Sequence, residues 1–194
     1  MKVLTIVTHP RTDSLTHQVA KYFISGLKEA GHETDVIDLY RHDFNPILTE
    51  KDEPQWNSPH QHYSKAVHVE MERMKNYDGL AFVFPLWWWS MPAMMKGYID
   101  RVWNYDFAYG PNKLHHEHVL WLSLAGAPIE RFKKRKYDQM MEHYFNIGLA
   151  EYCGIKSSRF ELLYETIRVT DNTAQILFDN AFKSGLHYAE RRDN

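Results

Sequence analysis

The chain has 194 residues and a single cysteine, Cys153. One thiol excludes an internal disulfide framework and any zinc or iron–sulfur site built on several cysteines, and it fits a reducing compartment. Long apolar runs are missing too; none approaches the ~20 residues that a membrane-spanning helix requires. The N-terminal MKVLTIVTHP is apolar over too short a stretch for a signal peptide and ends at a turn, so it reads as a first strand. Charge of one sign is also lacking. With 23 Lys and Arg against 25 Asp and Glu the net charge is −2, which gives no electrostatic reason to expect a nucleic-acid or anionic-membrane partner. No G-x-G-x-x-G follows the first apolar run and no G-x-x-x-x-G-K-[ST] occurs, which disfavours a six-stranded dinucleotide fold and excludes a P-loop. The expectation is a cytoplasmic protein, residues 1–194 forming one domain. Two things are plentiful: 28 aromatics (12 Tyr, 10 Phe, 6 Trp) and 12 His. Ten of the 28 fall between Phe82 and Tyr109, which marks a localised site.

Three runs are apolar without alternation, Val3 to Val7, Leu80 to Phe84 and Val119 to Leu124, as in strands buried on both faces of a parallel sheet. Weaker strand candidates are Thr34 to Leu39 and Phe160 to Tyr164. Between them the spacing predicts a first helix through Val19, Phe23 and Leu27, stopped by Gly31. Further helices are expected near His62 to Asn76, Pro92 to Val102, Tyr137 to Tyr152 and Thr173 to Ala189. Arg41 to Pro59, with Pro46, Pro54 and Pro59, reads as a surface excursion. Strands alternating with helices imply an α/β fold, a flavodoxin-like doubly wound five-stranded parallel sheet of order 2-1-3-4-5 with helices on both faces.

In that architecture ligands sit outside the carboxyl ends of the strands. The first turn there, Thr8 to Thr16, has hydroxyls at Thr12, Ser14 and Thr16, a helix start, and His9 and Arg11 as donors, a combination suited to a phosphate. The plainer alternative is that Asp13 or Ser14 only caps the helix. The turn after the third strand runs Phe84-Pro85-Leu86-Trp87-Trp88-Trp89-Ser90-Met91-Pro92. Three consecutive tryptophans cannot all enter one core, so some face a cleft or another subunit. Flat aromatic walls beside backbone N–H groups suit a planar heteroaromatic ligand.

Phe84 to Val102 resembles the FPxxWxxxPAxxKGxxDRV signature of the NAD(P)H:quinone oxidoreductases, the DT-diaphorase-like flavodoxin-fold family. Val7-Thr8-His9-Pro10, Phe44-Asn45-Pro46, Phe107-Ala108-Tyr109-Gly110 and Glu151-Tyr152-Cys153-Gly154 agree with it in the same order. The size resembles the small bacterial members, such as general stress protein 14-like reductases and ancillary oxidoreductases of potassium-efflux systems. The resemblance implies a flavin, FMN with FAD as the alternative, whose phosphate is held by His9, Arg11, Ser14, Leu15 and Thr16. Its ring would lie against Pro85, Leu86, Trp87, Trp88 and Trp89, with main-chain N–H groups directed at its polar edge. Leu124, Ala125, Gly126 and Ala127 would supply further N–H groups, although the threonines frequent at this turn in the family are missing.

It further implies ping-pong hydride transfer from NAD(P)H through the flavin to a quinone, with Trp89, Phe107, Tyr109, Phe132 and Tyr137 lining the substrate slot. Part of that lining comes from the second subunit of a homodimer. The family's catalytic Tyr and His positions fall on Phe132 and Asp138, which do not match; Tyr137, one residue from the second of these, could substitute if the loop shifts. A regulatory subunit docked on a membrane transporter and an electron-carrier flavodoxin are the alternative functions. Arg131 to Lys136 (RFKKRK) reads as a solvated basic loop, with attraction of the NADPH 2′-phosphate as its functional alternative. His116 and His118 have strand spacing for chelation, but His60, His62, His115, His116 and His118 read as surface histidines, and no metal is expected. Cys153 reads as a buried structural thiol.

Overall fold

The computed structural model describes residues 1–58 and 60–190; Pro59, the end of the Arg41 excursion, and residues 191–194 of the expected domain lie outside the described residues. Five parallel strands, β1 (Lys2–Val7), β2 (Glu33–Asp38), β3 (Gly79–Pro85), β4 (His118–Leu124) and β5 (Ser157–Leu163), form one sheet of order β2-β1-β3-β4-β5. The three continuous apolar runs are its centre: β3 is buried at every position, and β1 and β4 at all but their first. The edges are less apolar, and β5 begins earlier than expected, at the polar Ser157 and Ser158.

Helices α1 (Leu15–Glu29) and α6 (Asp171–Leu186) cover one face, while α2 (Lys65–Met74), α3 (Ala93–Val102), α4 (Ile129–Arg135) and α5 (Tyr137–His143) belong to the other side. Two separate cores result. Val3, Val7, Ala81, Val83, Leu120 and Leu122 face Val19, Phe23 and Leu177 on the first face, while Ile6, Phe82, Phe84 and Trp121 face Met71, Tyr98 and Phe145 on the second. The localised reading of the aromatics needs correction here. Phe82, Phe84, Tyr98 and Trp103 are buried core, with Phe82 stacked on Trp121 at 4.6 Å. Strand alternation sends Phe82 and Phe84 inward, and α3 packs Tyr98 and Trp103 into the same core, which leaves the turn beyond Pro85 for a cleft.

The α1–α6 contact is made through two glycines. A methyl on Gly26 would run into the Phe182 carbonyl, and one on Gly185 into the carbonyl of Phe23. Gly185→Ala is therefore expected to cost about 3 kcal/mol through overpacking, read as a lower urea midpoint with an unchanged slope. Beyond α6, the buried Tyr188 shares its hydroxyl proton between the carbonyls of Leu80 (2.9 Å) and His118 (3.1 Å), which ties the helix end to two central strands.

The excursion after β2 runs over the surface as expected but is anchored at two points: Phe44 and Asp52 are buried, and Arg101 of α3 donates to Asp52 at 2.6 and 3.0 Å and to the Asn45 carbonyl. Two other expectations about the connections are overturned. The Tyr137 helix stops being α-helical at Tyr144 and continues to Glu151 as a π-helix. RFKKRK is not a loop but most of α4, because Phe132 packs into the core and holds the turn down. Among the histidines, His116 is buried, with Nε2 3.0 Å from the Met74 carbonyl, and burial pushes it down to about 4. His60, His62 and His115 are exposed as expected, and no group of three metal-ligating side chains occurs among the described residues. Cys153 is buried, which pushes its thiol up to about 11. No described helix is long and apolar enough to cross a membrane.

Candidate active site at the carboxyl edge of the sheet

The order β2-β1-β3 makes the chain reverse direction between β1 and β3, and this is where a doubly wound sheet opens a crevice. On the β1 side, Ser14 caps α1 by accepting from the His17 N–H at 3.3 Å. His17 in turn accepts from the Ser14 hydroxyl at Nδ1 (2.8 Å) and donates from Nε2 to Asp38 at 2.8 Å. Arg41 clamps the same loop by donating to the carbonyls of His9 (2.7 Å) and Pro10 (2.6 Å). None of His17, Asp38 or Arg41 was singled out in the sequence; Asp38 and Arg41 lie at the end of β2, far from the turn in the chain.

Of the residues expected at a phosphate, Ser14 and Thr16 are buried and Arg11 is exposed. The Ser14 hydroxyl is engaged in its own cap, and what Thr16 offers is its backbone. The N–H groups of Leu15 and Thr16 have no acceptor among the described residues, and the first turn of α1 carries no acid. Those two donors are free to meet an anion, and Arg11 is an exposed cation in the loop that precedes them. His9 accepts the Arg11 N–H at Nδ1 (3.1 Å), which leaves its proton on Nε2. Burial, reinforced by the charges of Arg11 and Arg41, lowers its pKa and keeps the ring neutral.

The turn after β3 is tighter than its composition suggests. Trp87 and Ser90 exchange both backbone hydrogen bonds at 3.1 Å, and the two residues between them, Trp88 and Trp89, have φ of 52° and 58°. This is a two-residue reversal of the type I′ pattern, which normally uses Asn and Gly. Two indoles in the left-handed region cost about 1–2 kcal/mol each. Trp88 is nevertheless 88% exposed, so no core packing compensates. Strain of this kind is found where a site requires it.

The expected main-chain donors divide sharply. Pro85 has no N–H, Leu86 donates to the Leu124 carbonyl at 2.8 Å, and Trp87 donates to Ser90. Ala125 donates to Leu163 at 2.7 Å, and Leu124 belongs to β4. Only Trp88, Trp89, Gly126 and Ala127 keep N–H groups without a backbone acceptor among the described residues. Pro85, Leu86, Trp87, Leu124 and Ala125 therefore form the floor that holds those four donors in place, rather than offering donors themselves.

A cleft of about 670 Å³ opens between the two turns, lined by Leu86, Trp88, Trp89, Gly126, Ala127, Phe132, Tyr137 and three α4 cations. Tyr137 reaches it, with its ring 4.8 Å from Trp89. Phe132 lines it as well, its ring edge-on to Tyr164 at 5.2 Å. Phe107 and Tyr109 do not line the cleft of their own chain. Phe107 lies beside Lys75 and Tyr109 beside Tyr152, in the segments that feed the starts of β3 and β5.

Fold and cleft together define a doubly wound α/β protein with an aromatic-walled cleft at the carboxyl edge of its sheet, beside the switch point. A family model described as flavodoxin-like fold matches residues 1–181, and the chain belongs to that family. An uncharacterized NAD(P)H oxidoreductase of Escherichia coli (strain K12), YcaK, is 38% identical over 167 residues, 86% of this chain and 85% of that protein. The NAD(P)H:quinone oxidoreductase from Methanothermobacter marburgensis superposes with a TM-score of 0.89 at 30% identity, covering 100% of this chain and 99% of that one. An FMN-dependent NADH-azoreductase from Bacillus anthracis in complex with FMN shares the fold, with a TM-score of 0.70 at 20% identity over 97% of this chain and 99% of that one.

Proposed function

We propose that the protein is an NAD(P)H-dependent oxidoreductase that reduces quinones on a bound flavin. The observation that carries this reading is the strained Trp88-Trp89 turn sharing one cleft with Gly126 and Ala127, all four with N–H groups that have no backbone acceptor among the described residues. These residues fit a flavin ring. Leu86, Trp88 and Trp89 supply apolar faces, and the N–H groups of Trp88, Trp89, Gly126 and Ala127 match a polar edge that gains negative charge on reduction. Arg11 with the N–H groups of Leu15 and Thr16 fits one phosphate, and His9 Nε2–H is a further donor nearby.

FMN is favoured over FAD because the segment after β2, where an adenine would need room, is drawn into the fold by Arg101. A flavin held by these residues would supply the redox chemistry, the transfer of a hydride equivalent from NAD(P)H which, with a proton from solvent, turns a quinone into a hydroquinone. The chain binds, orients and excludes water. Tyr137 places a hydroxyl-bearing ring against Trp89 on the substrate side, where the family's tyrosine position, Phe132, has none. A homodimer belongs to the same reading, since Phe107 and Tyr109 as substrate-slot residues would serve a second copy's cleft.

Purified protein incubated with FMN is expected to retain it through gel filtration, to show flavin absorbance, and to oxidise NAD(P)H in the presence of a quinone with parallel double-reciprocal plots. A chain that stays colourless after incubation with FMN and FAD, and oxidises neither nucleotide, would overturn the proposal.

A further inference from the structure

Helix α4 carries five cations, counting Lys136 at its end, against one acid, Glu130. Arg131, Lys134 and Arg135 stand at i, i+3 and i+4, which places them on one side of the helix, and all three line the cleft. Phe132, beside Arg131, is buried and lines the same cleft. None of Arg131, Lys133, Lys134, Arg135 or Lys136 has an ion-pair or side-chain hydrogen-bond partner among the described residues. Some surface cations elsewhere are paired, as in Lys75–Glu72 at 2.6 Å, Arg41–Asp38 at 3.5 Å and Arg73–Glu70 at 3.2 Å, whereas α4 gathers five in one stretch. Like charges at this spacing oppose helix formation. The helix dipole accounts for Lys134 and Arg135 in the last turn but works against Arg131 in the first. Nearby acids include Glu130 on the same helix, Asp138 at the start of α5 and Glu165, whose N–H donates to the Ala127 carbonyl at 3.3 Å, and none of the three lines the cleft. One wall of an aromatic slot is thus a row of uncompensated cations.

We propose that Arg131, Lys134 and Arg135 make the cleft selective for a planar aromatic substrate that carries an anionic group. The identity of the aromatic rests on the oxidoreductase reading above; the charge preference rests on α4. Two sources of such an anion fit that reading: the 2′-phosphate that distinguishes NADPH from NADH, and an acidic substituent on the acceptor quinone. Guanidinium groups bind phosphate and sulfonate through paired N–H donors, whereas a lysine contributes a point charge, so Arg131 and Arg135 carry the geometric part of the preference.

The test is binding by isothermal titration, with the two sources as separate arms: NADP⁺ against NAD⁺, and 1,4-naphthoquinone-2-sulfonate against 1,4-naphthoquinone. At low ionic strength the anionic member of at least one pair is expected to bind about tenfold tighter. That ratio is expected to fall toward one in the Arg131→Gln, Lys134→Gln, Arg135→Gln triple variant. It should fall likewise in the unmodified protein at about 1 M salt, which needs no variant to fold. A ratio in the nucleotide pair alone assigns the anion to the co-substrate; a ratio in the quinone pair alone assigns it to the acceptor. Ratios near one in both pairs, or a ratio that neither the variant nor salt changes, overturn the proposal. Because binding is read directly, failure of turnover would refute the oxidoreductase reading and leave this ratio measurable.

Discussion

Arg101→Ala is expected to cost about 3–5 kcal/mol of unfolding free energy, a large share of the 5–15 kcal/mol typical of a domain. Both members of the Arg101–Asp52 pair are buried, and the guanidinium also donates to the Asn45 carbonyl and to Ser64 at 3.2 Å, with the Phe44 ring 4.9 Å away. Truncation would leave the Asp52 carboxylate in the interior with only Ser64, through its N–H at 2.7 Å and its hydroxyl. Arg101→Lys is expected to rescue little, because one ammonium cannot serve three separated acceptors. Arg101→Met combined with Asp52→Leu should cost less than either single truncation, since no unpaired charge is then buried. Urea unfolding checks the series, and a cost below about 1 kcal/mol for Arg101→Ala would mean the pair is solvated.

The same pair makes stability depend on acid. Burial alone would raise the Asp52 carboxyl, but hydrogen bonds from Ser64 and Arg101 together outweigh it and hold it below the ordinary carboxylate value of 3.8. A depressed folded-state pKa contributes stability that is fully present above the unfolded value and disappears as pH falls through the folded one. Below about pH 4, therefore, the unmodified protein should lose stability more steeply than Asp52→Asn.

Replacing Trp88-Trp89 with Asn-Gly is expected to move stability and affinity in opposite directions. Asn and Gly accept the positive φ at little cost, so the turn should gain about 1 kcal/mol. The two indole faces, worth about 1.5 kcal/mol each to a stacked ring, are lost, and flavin affinity or quinone turnover should fall about a hundredfold. Thermal unfolding without ligand and FMN titration read the two effects separately. A variant with lower stability and unchanged affinity would make the tryptophans packing residues. Unchanged affinity with a shifted monomer–dimer equilibrium would place them at a subunit interface.

The centre of the sheet was legible because β1, β3 and β4 are buried on both faces, and burial on both faces writes itself as an uninterrupted apolar run. The ligand-bearing edge followed from topology, and the tryptophan turn from the impossibility of burying three indoles together. Local pattern could not supply the rest. Asp52 and Arg101 are 49 positions apart, and nothing near either marks it as buried. Helix α4 has one buried apolar residue, Phe132, within a basic hexad, too little for periodicity to register. The backbone reversal at Trp88 and Trp89 contradicts residue preference outright, as a functional turn is free to do. The expected donors at Leu86, Trp87 and Ala125 failed for a simpler reason: whether an N–H is free depends on which carbonyl the fold sets beside it.

The glycine contact between α1 and α6, together with the Tyr188 hydroxyl on Leu80 108 positions away, has a consequence for synthesis. Helix α1 gains its α6 partner only once residues 171–186 have been made. Until then the side of α1 that meets Gly185, and the Leu80 and His118 carbonyls that Tyr188 bonds, stay uncovered in the nascent chain. Contacts between such distant parts of a chain close late, which slows folding.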